Sequence, residues 1–109
     1  MGTNKKMPEC PVEATLLLIG NKWKVLILRD LMNETMRFNE LMRSVTGITQ
    51  KVLTSQLRDM EKDGLLSRKI YPVIPPKVEY SLTNTGRSLK PILDTLATWG
   101  EEFKQNNIV

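Results

Sequence analysis

The chain has 109 residues, 40% of them hydrophobic, which suits one domain with a modest core and marginal burial, so help from a partner subunit is expected. Its 16 Lys plus Arg against 12 Asp plus Glu leave a net charge of +4, with no histidine and a single cysteine, Cys10; an internal disulfide is excluded, and no residue set has metal-ligand spacing, so no metal and no cofactor is expected. No apolar run approaches the roughly 20 residues of a membrane span and Met1 to Pro8 lacks the apolar stretch of a secretion signal, which leaves a cytoplasmic protein with no membrane partner as the expectation.

Residues 1–8 read as a flexible N-terminal arm and residues 9–109 as the folded domain. Pro11 to Ile19 predicts a first helix, with Leu16, Leu17 and Ile19 apolar, and Gly20 and Asn21 interrupt it. Trp23 to Met32 then carries Trp23, Leu26, Ile27 and Leu31 at helical spacing, so both segments look like core helices. Met36 to Phe38 is a short extended piece that suits a third strand beside a later hairpin. Phe38, Leu41, Met42 and Val45 give a short helix, and the Thr46-Gly47 turn joins it to another beginning near Thr49, which is helix-turn-helix spacing.

That next helix, Gln50 to Asp63, separates into two faces at about 100° per residue: Leu53, Leu57 and Met60 on one, Lys51, Thr54, Ser55, Arg58 and Lys62 on the other. Thr49 suits the N-cap, Ile48 and Leu53 stand where a hydrophobic staple would, and Gly64 suits a left-handed stop. Taken alone, this is equally the solvated face of any surface helix. A β-hairpin comes next in the chain: Leu66, Arg68 and Ile70 alternate with Ser67, Lys69 and Tyr71, then Val78, Tyr80 and Leu82 with Lys77, Glu79 and Ser81, the period of strands covering a core on one face. Pro72, Pro75 and Pro76 make the tip a stiff projecting loop, or protect a strand edge. Lys69, Tyr71 and Lys77 surround its base, where the lysines suit phosphates and the tyrosine a hydrogen bond to one. A capped helix running into such a hairpin is the order of parts of a winged helix-turn-helix domain, α+β and mainly α.

Charge is distributed in keeping with this. Residues 36–77 hold 8 basic and 4 acidic residues, so this stretch accounts for the whole excess of +4. A basic surface confined to one helix and one hairpin is the footprint of phosphate contact on nucleic acid. From Thr83 onward, Leu89, Ile92, Leu93, Leu96, Trp99 and Phe103 recur at steps of three and four, and so small a domain has little core left to cover them; part of the stripe reads as a subunit interface. Pro91 inside it either kinks the helix or marks its true start.

Cys10-Pro11-Val12, Gly20-Asn21-Lys22-Trp23, Arg37-Phe38-Asn39-Glu40-Leu41, Gly47 to Thr54, Leu57-Arg58, Asp63-Gly64-Leu65, Val73 to Thr83 and Trp99-Gly100, in this order, resemble the HxlR family of bacterial transcription regulators over about Glu9 to Phe103. Asn21 departs from the glycine frequent there. The resemblance implies a MarR-like winged helix and a homodimer held by N- and C-terminal helices, with Leu16, Leu89, Ile92, Leu93, Leu96, Trp99 and Phe103 as interface candidates. It further implies recognition of double-stranded DNA at a palindromic operator, as a repressor in the first instance, with paired reading helices about 34 Å apart or a multiple of that. Carried onto this chain, Thr49, Gln50, Lys51, Thr54, Ser55 and Arg58 of the reading helix and Lys69, Tyr71 and Lys77 of the wing are the expected DNA contacts. Gln50, Lys51 or Arg58 suit base edges, while Thr49, Ser55 and the wing lysines suit phosphates.

Some regulators of this kind sense oxidants or electrophiles through the cysteine at the position of Cys10, which here stands beside Pro11 with Lys5, Lys6, Glu9 and Glu13 nearby; the plainer reading is a small residue at a helix start. A rival function is a winged helix that binds protein, which would need an apolar outer face on Gln50 to Asp63. An enzyme is not expected: there is no histidine, no glycine-rich phosphate loop and no nucleophile paired with a base, and Asp59, Glu61 and Asp63 read as solvated helix charges. A small-molecule effector site between the dimer helices, lined by Trp23, Trp99 and methionines, stays open beside the reading of those residues as core.

Overall fold

The computed structural model describes residues 3–107; Met1, Gly2, Ile108 and Val109, at the two ends of the expected arm and domain, lie outside it. The described residues form six helices and three strands: α1 Pro11–Ile19, α2 Lys22–Asn33, β1 Met36–Arg37, α3 Phe38–Ser44, α4 Gln50–Lys62, β2 Leu66–Tyr71, β3 Lys77–Leu82, α5 Asn84–Arg87 and α6 Lys90–Asn107. The strands make one antiparallel sheet in the order β1-β3-β2, with Met36 opposite Tyr80 and Leu66 opposite Leu82, so the short segment before α3 does join the hairpin as a third strand. Among the described residues no helix is long and apolar enough to cross a membrane.

The core gathers Ile27, Leu28 and Leu31 of α2, Leu41 of α3, Leu53, Leu57 and Met60 of α4, and Leu65, Leu66 and Leu82 around the root of the hairpin. The face expected of α4 is the one it buries, whereas α2 buries Leu28 beside the expected Ile27 and Leu31 and leaves Trp23 and Leu26 partly covered; α1 is not the core helix expected, since it buries only Ile19 and leaves Leu16 and Leu17 exposed. Turn chemistry sets the ends of α4: the Thr49 side chain accepts from the Val52 N–H at 3.1 Å, and Gly64 follows the helix at φ +76°, in the left-handed region where a side chain is strained. At α3, Arg37 N–H donates to Glu40 Oε1 at 2.7 Å, fixing the start of the first helix of the helix-turn-helix.

Further expectations change. The stripe after Thr83 is not one helix but the single turn α5 followed by α6, and Pro91 is the second residue of α6, where its missing N–H has no partner to lose; it marks the true start and does not kink the helix. The two-sided alternation of β2 fails: Leu66 is buried, but Arg68 is exposed and Ile70 is 58% exposed, because the hairpin extends past the core that its root covers. Asp59 and Asp63 are not solvated helix charges. Asp63 is 6% exposed and accepts from Thr3 Oγ1 and Lys5 Nζ, while Asp59 accepts from Lys24 Nζ and, at 3.0 Å, from Lys5 Nζ. The stretch read as a flexible arm thus includes Thr3 and Lys5, both bonded to the C-terminal half of α4 or its cap.

Candidate nucleic-acid interface

On the outer face of α4 lies an open groove of about 950 Å³ lined by Gln50, Lys51, Thr54, Ser55 and Arg58, five of the six expected helix contacts, together with Asn21, Lys24, Gln56, Asp59 and Lys62. Every one of these side chains is polar. Thr49 stands at the start of the helix as its cap, with its hydroxyl hydrogen still free to donate outward. Lys51, Arg58 and Lys62 have no ion-pair partner among the described residues, so their charges face solvent uncompensated.

The groove has a second wall that the reading helix alone did not reveal. Asn21 caps α2 by accepting from Lys24 N–H at 2.9 Å, and its amide donates to Gln56 Oε1 of α4 at 3.2 Å, which joins the start of α2 to the side of the reading helix. The interruption at Gly20-Asn21 was the available signal. It marked a break between helices but not its proximity to a residue 35 positions away.

The wing residues form a cluster of their own. The Tyr71 hydroxyl donates to Glu79 Oε1 at 2.8 Å, and the ammonium groups of Lys69 and Lys77 lie 4.8 and 4.7 Å from the centre of the Tyr71 ring. Lys77 Nζ is also 3.4 Å from Glu79 Oε2. The Tyr71 hydrogen bond, opposed by desolvation and reinforced by Lys77, holds the Glu79 carboxyl below its ordinary range. The hydroxyl expected to bond a phosphate is therefore engaged within the hairpin, where Tyr71 orders the two lysines by cation–π contact. Lys77 also borders a groove of about 830 Å³ between the hairpin tip and α3, whose other cations, Arg37 and Arg43, were not among the expected contacts. Arg68 Nε, 3.5 Å from Glu61 Oε1, links the hairpin to α4.

The remaining candidates lie elsewhere. Cys10 is exposed and unpaired at the N-cap of α1, where its carbonyl accepts from Ala14 N–H at 2.9 Å. Of the interface candidates, Leu16, Ile92, Leu96, Trp99 and Phe103 are exposed, whereas Leu89 and Leu93 pack partly against the core. No residue of α6 is buried; Trp99 is 64% exposed, and its ring stacks on Phe103 at 5.2 Å. Trp23 packs on the core, and an apolar groove of about 510 Å³ between α1, α2 and α6 is lined by neither tryptophan.

Comparison with known proteins agrees with this layout. The family profile described as HxlR-like helix-turn-helix matches residues 18–108. The Bacillus subtilis (strain 168) HTH-type transcriptional regulator YdeP is 50% identical over 95 residues, 87% of this chain and 74% of that protein. The redox regulator HypR in its reduced form superposes with a TM-score of 0.84 at 47% identity, covering 87% of this chain and 94% of that one. A transcriptional regulator of the MarR family from Porphyromonas gingivalis W83 gives 0.84 at 37%, covering 91% and 97%. With the helix-turn-helix, the hairpin and nearly the full length in common, the chain belongs to the HxlR-like helix-turn-helix family, a family of transcriptional regulators and not of enzymes.

Proposed function

We propose that this regulator acts as a homodimer on a palindromic DNA operator, as a repressor, with α4 in the major groove and the β2–β3 hairpin along the neighbouring backbone. The observation that carries this is the groove on α4: ten lining side chains, all polar, with Lys51, Arg58 and Lys62 uncompensated. Phosphate attracts such a surface through counterion release, and amide and guanidinium groups suit base edges. A protein-binding winged helix would present an apolar anchor there instead. Pairing of two copies through α1 and α6 accounts for Leu16, Ile92, Leu96, Trp99 and Phe103 at the surface.

Response to oxidants or electrophiles through the exposed Cys10 is part of the proposal, supported by likeness to a protein named as a redox regulator and solved in oxidised and reduced forms. Fluorescence anisotropy with DNA flanking the protein's own gene, against a scrambled fragment and across salt, tests the DNA reading. Salt-sensitive preference for the flanking DNA is expected, and no binding to either fragment at low salt would move the reading to a protein partner. If Cys10→Ser leaves the oxidant response of binding unchanged, Cys10 is not the sensor.

A further inference from the structure

Lys51, Ser55, Asp59 and Lys62 succeed one another along α4 at steps of four, four and three, so they form one stripe, and all four line the groove. Asp59 is the anomaly in it. A carboxylate between two lysines on a surface that approaches phosphate opposes the approach, and Asp63 adds a second negative charge one turn on. Both are met by cations from outside the helix-turn-helix. Lys24, 5% exposed on α2, bonds Asp59 through Nζ, and Lys5 Nζ reaches Asp59 at 3.0 Å and Asp63 as well, while Thr3 Oγ1 donates to Asp63. Two carboxylates are thus matched by two ammonium groups. Partial burial works to raise the Asp59 carboxyl, but the hydrogen bonds from Lys24 and Lys5 outweigh it and keep the group below its ordinary value.

We propose that the N-terminal segment is an electrostatic latch on the reading helix: Lys5, with Lys24 beneath it, masks Asp59 and Asp63 so that the α4 groove presents a purely cationic stripe to DNA. Lys5 is then a positioning residue that acts through Asp59, not a DNA contact. The inference rests on the DNA reading above.

Two measurements on the full chain test it. The first is trypsin cleavage after Lys5, followed by mass spectrometry. A latched segment is cut slowly in the wild type and faster when Asp59→Asn and Asp63→Asn together remove both carboxylates; equal rates would overturn the latch whether or not the protein binds DNA. The second is anisotropy on the preferred fragment with Lys5→Ala, Asp59→Asn and the double variant. Masking predicts that Lys5→Ala loses up to about fivefold in affinity per protomer at low salt, the ceiling for partly exposed ion pairs, and less at high salt. It also predicts that Lys5→Ala has a smaller effect once Asp59 is Asn, because only the contact with Asp63 is then left to lose. An equal loss in both backgrounds would make Lys5 a direct phosphate contact and overturn the proposal, and no loss in either would do the same. Failure of the wild type to bind any DNA would instead remove the DNA reading and the masking role together, leaving the cleavage result to judge the latch by itself.

Discussion

Replacing Lys51 or Arg58 by alanine tests the outer face of α4 through the salt dependence of binding. Each side chain is exposed on the groove and has no ion-pair partner among the described residues, so its removal takes a charge from the surface without stranding a carboxylate. In a dimer each substitution removes two cations. With about 0.9 counterions released per phosphate neutralised, the plot of log affinity against log salt should flatten by about 1.8 if the side chain lies on phosphate. Between about 50 and 200 mM salt that slope difference amounts to roughly tenfold, so the variant's deficit should be about ten times larger at the low end. A side chain on a base edge behaves differently: the deficit is about 1–3 kcal/mol for each base pair contacted and is confined to operator DNA, with scrambled DNA little affected. The assay is anisotropy on both fragments at four or more salt concentrations, with circular dichroism to verify the fold. If the doubly substituted protein, folded, binds with unchanged affinity and slope, α4 does not face the DNA and the reasoning from the groove fails.

The geometry sets four further outcomes. Thr49→Ala loses the acceptor for Val52 N–H and should cost about 1 kcal/mol, seen as a melting temperature lower by about 4–8 °C. Gly86→Ala places a Cβ 2.1 Å from the Leu65 carbonyl oxygen, forcing α5 away from the hairpin root, and should cost about 1–3 kcal/mol in urea unfolding. Trp99→Glu with Phe103→Glu puts charge on the exposed stacked pair of α6; sedimentation equilibrium should show monomers, with operator affinity falling in parallel. Because the paired Asp59 carboxyl lies below its ordinary value of 3.8, its ionised form stabilises the fold above that pH, and the contribution is lost as pH falls through the lowered value; Asp59→Asn should therefore show a shallower acid loss of stability than the wild type.

Much of the reader was legible from local chemistry. Thr49, Gly64 and the Leu53, Leu57, Met60 face delimit α4 with neighbours in the same few turns, and Pro91 offered two outcomes of which the structure takes one. The parts not legible depend on pairing at a distance. The positions of Lys5 and Lys24 against Asp59 span 54 and 35 residues, and nothing local marks Asp63 as buried. The wing is instructive because its composition pointed at phosphate while its register engages one of those groups, the Tyr71 hydroxyl, within the hairpin. Lys69 faces Glu79 and Tyr71 faces Lys77 across the ladder, and that arrangement draws the Tyr71 hydroxyl inward to Glu79. Likewise Ile70 fits a core-facing alternation, yet the sheet outruns the core at that level.

Helix α6 runs for 18 residues without burying one of them. In proteins most helical stability comes from tertiary packing, and within this chain α6 sets only Leu93 against the core; on the proposed pairing, the covering supplied by a second copy would make the order of this segment depend on protein concentration. Cellular abundance then becomes a control variable in its own right. If two copies pair as proposed, operator occupancy would fall more steeply with copy number than simple titration of sites would give, and a modest change in synthesis or degradation of the chain would be amplified at the operator.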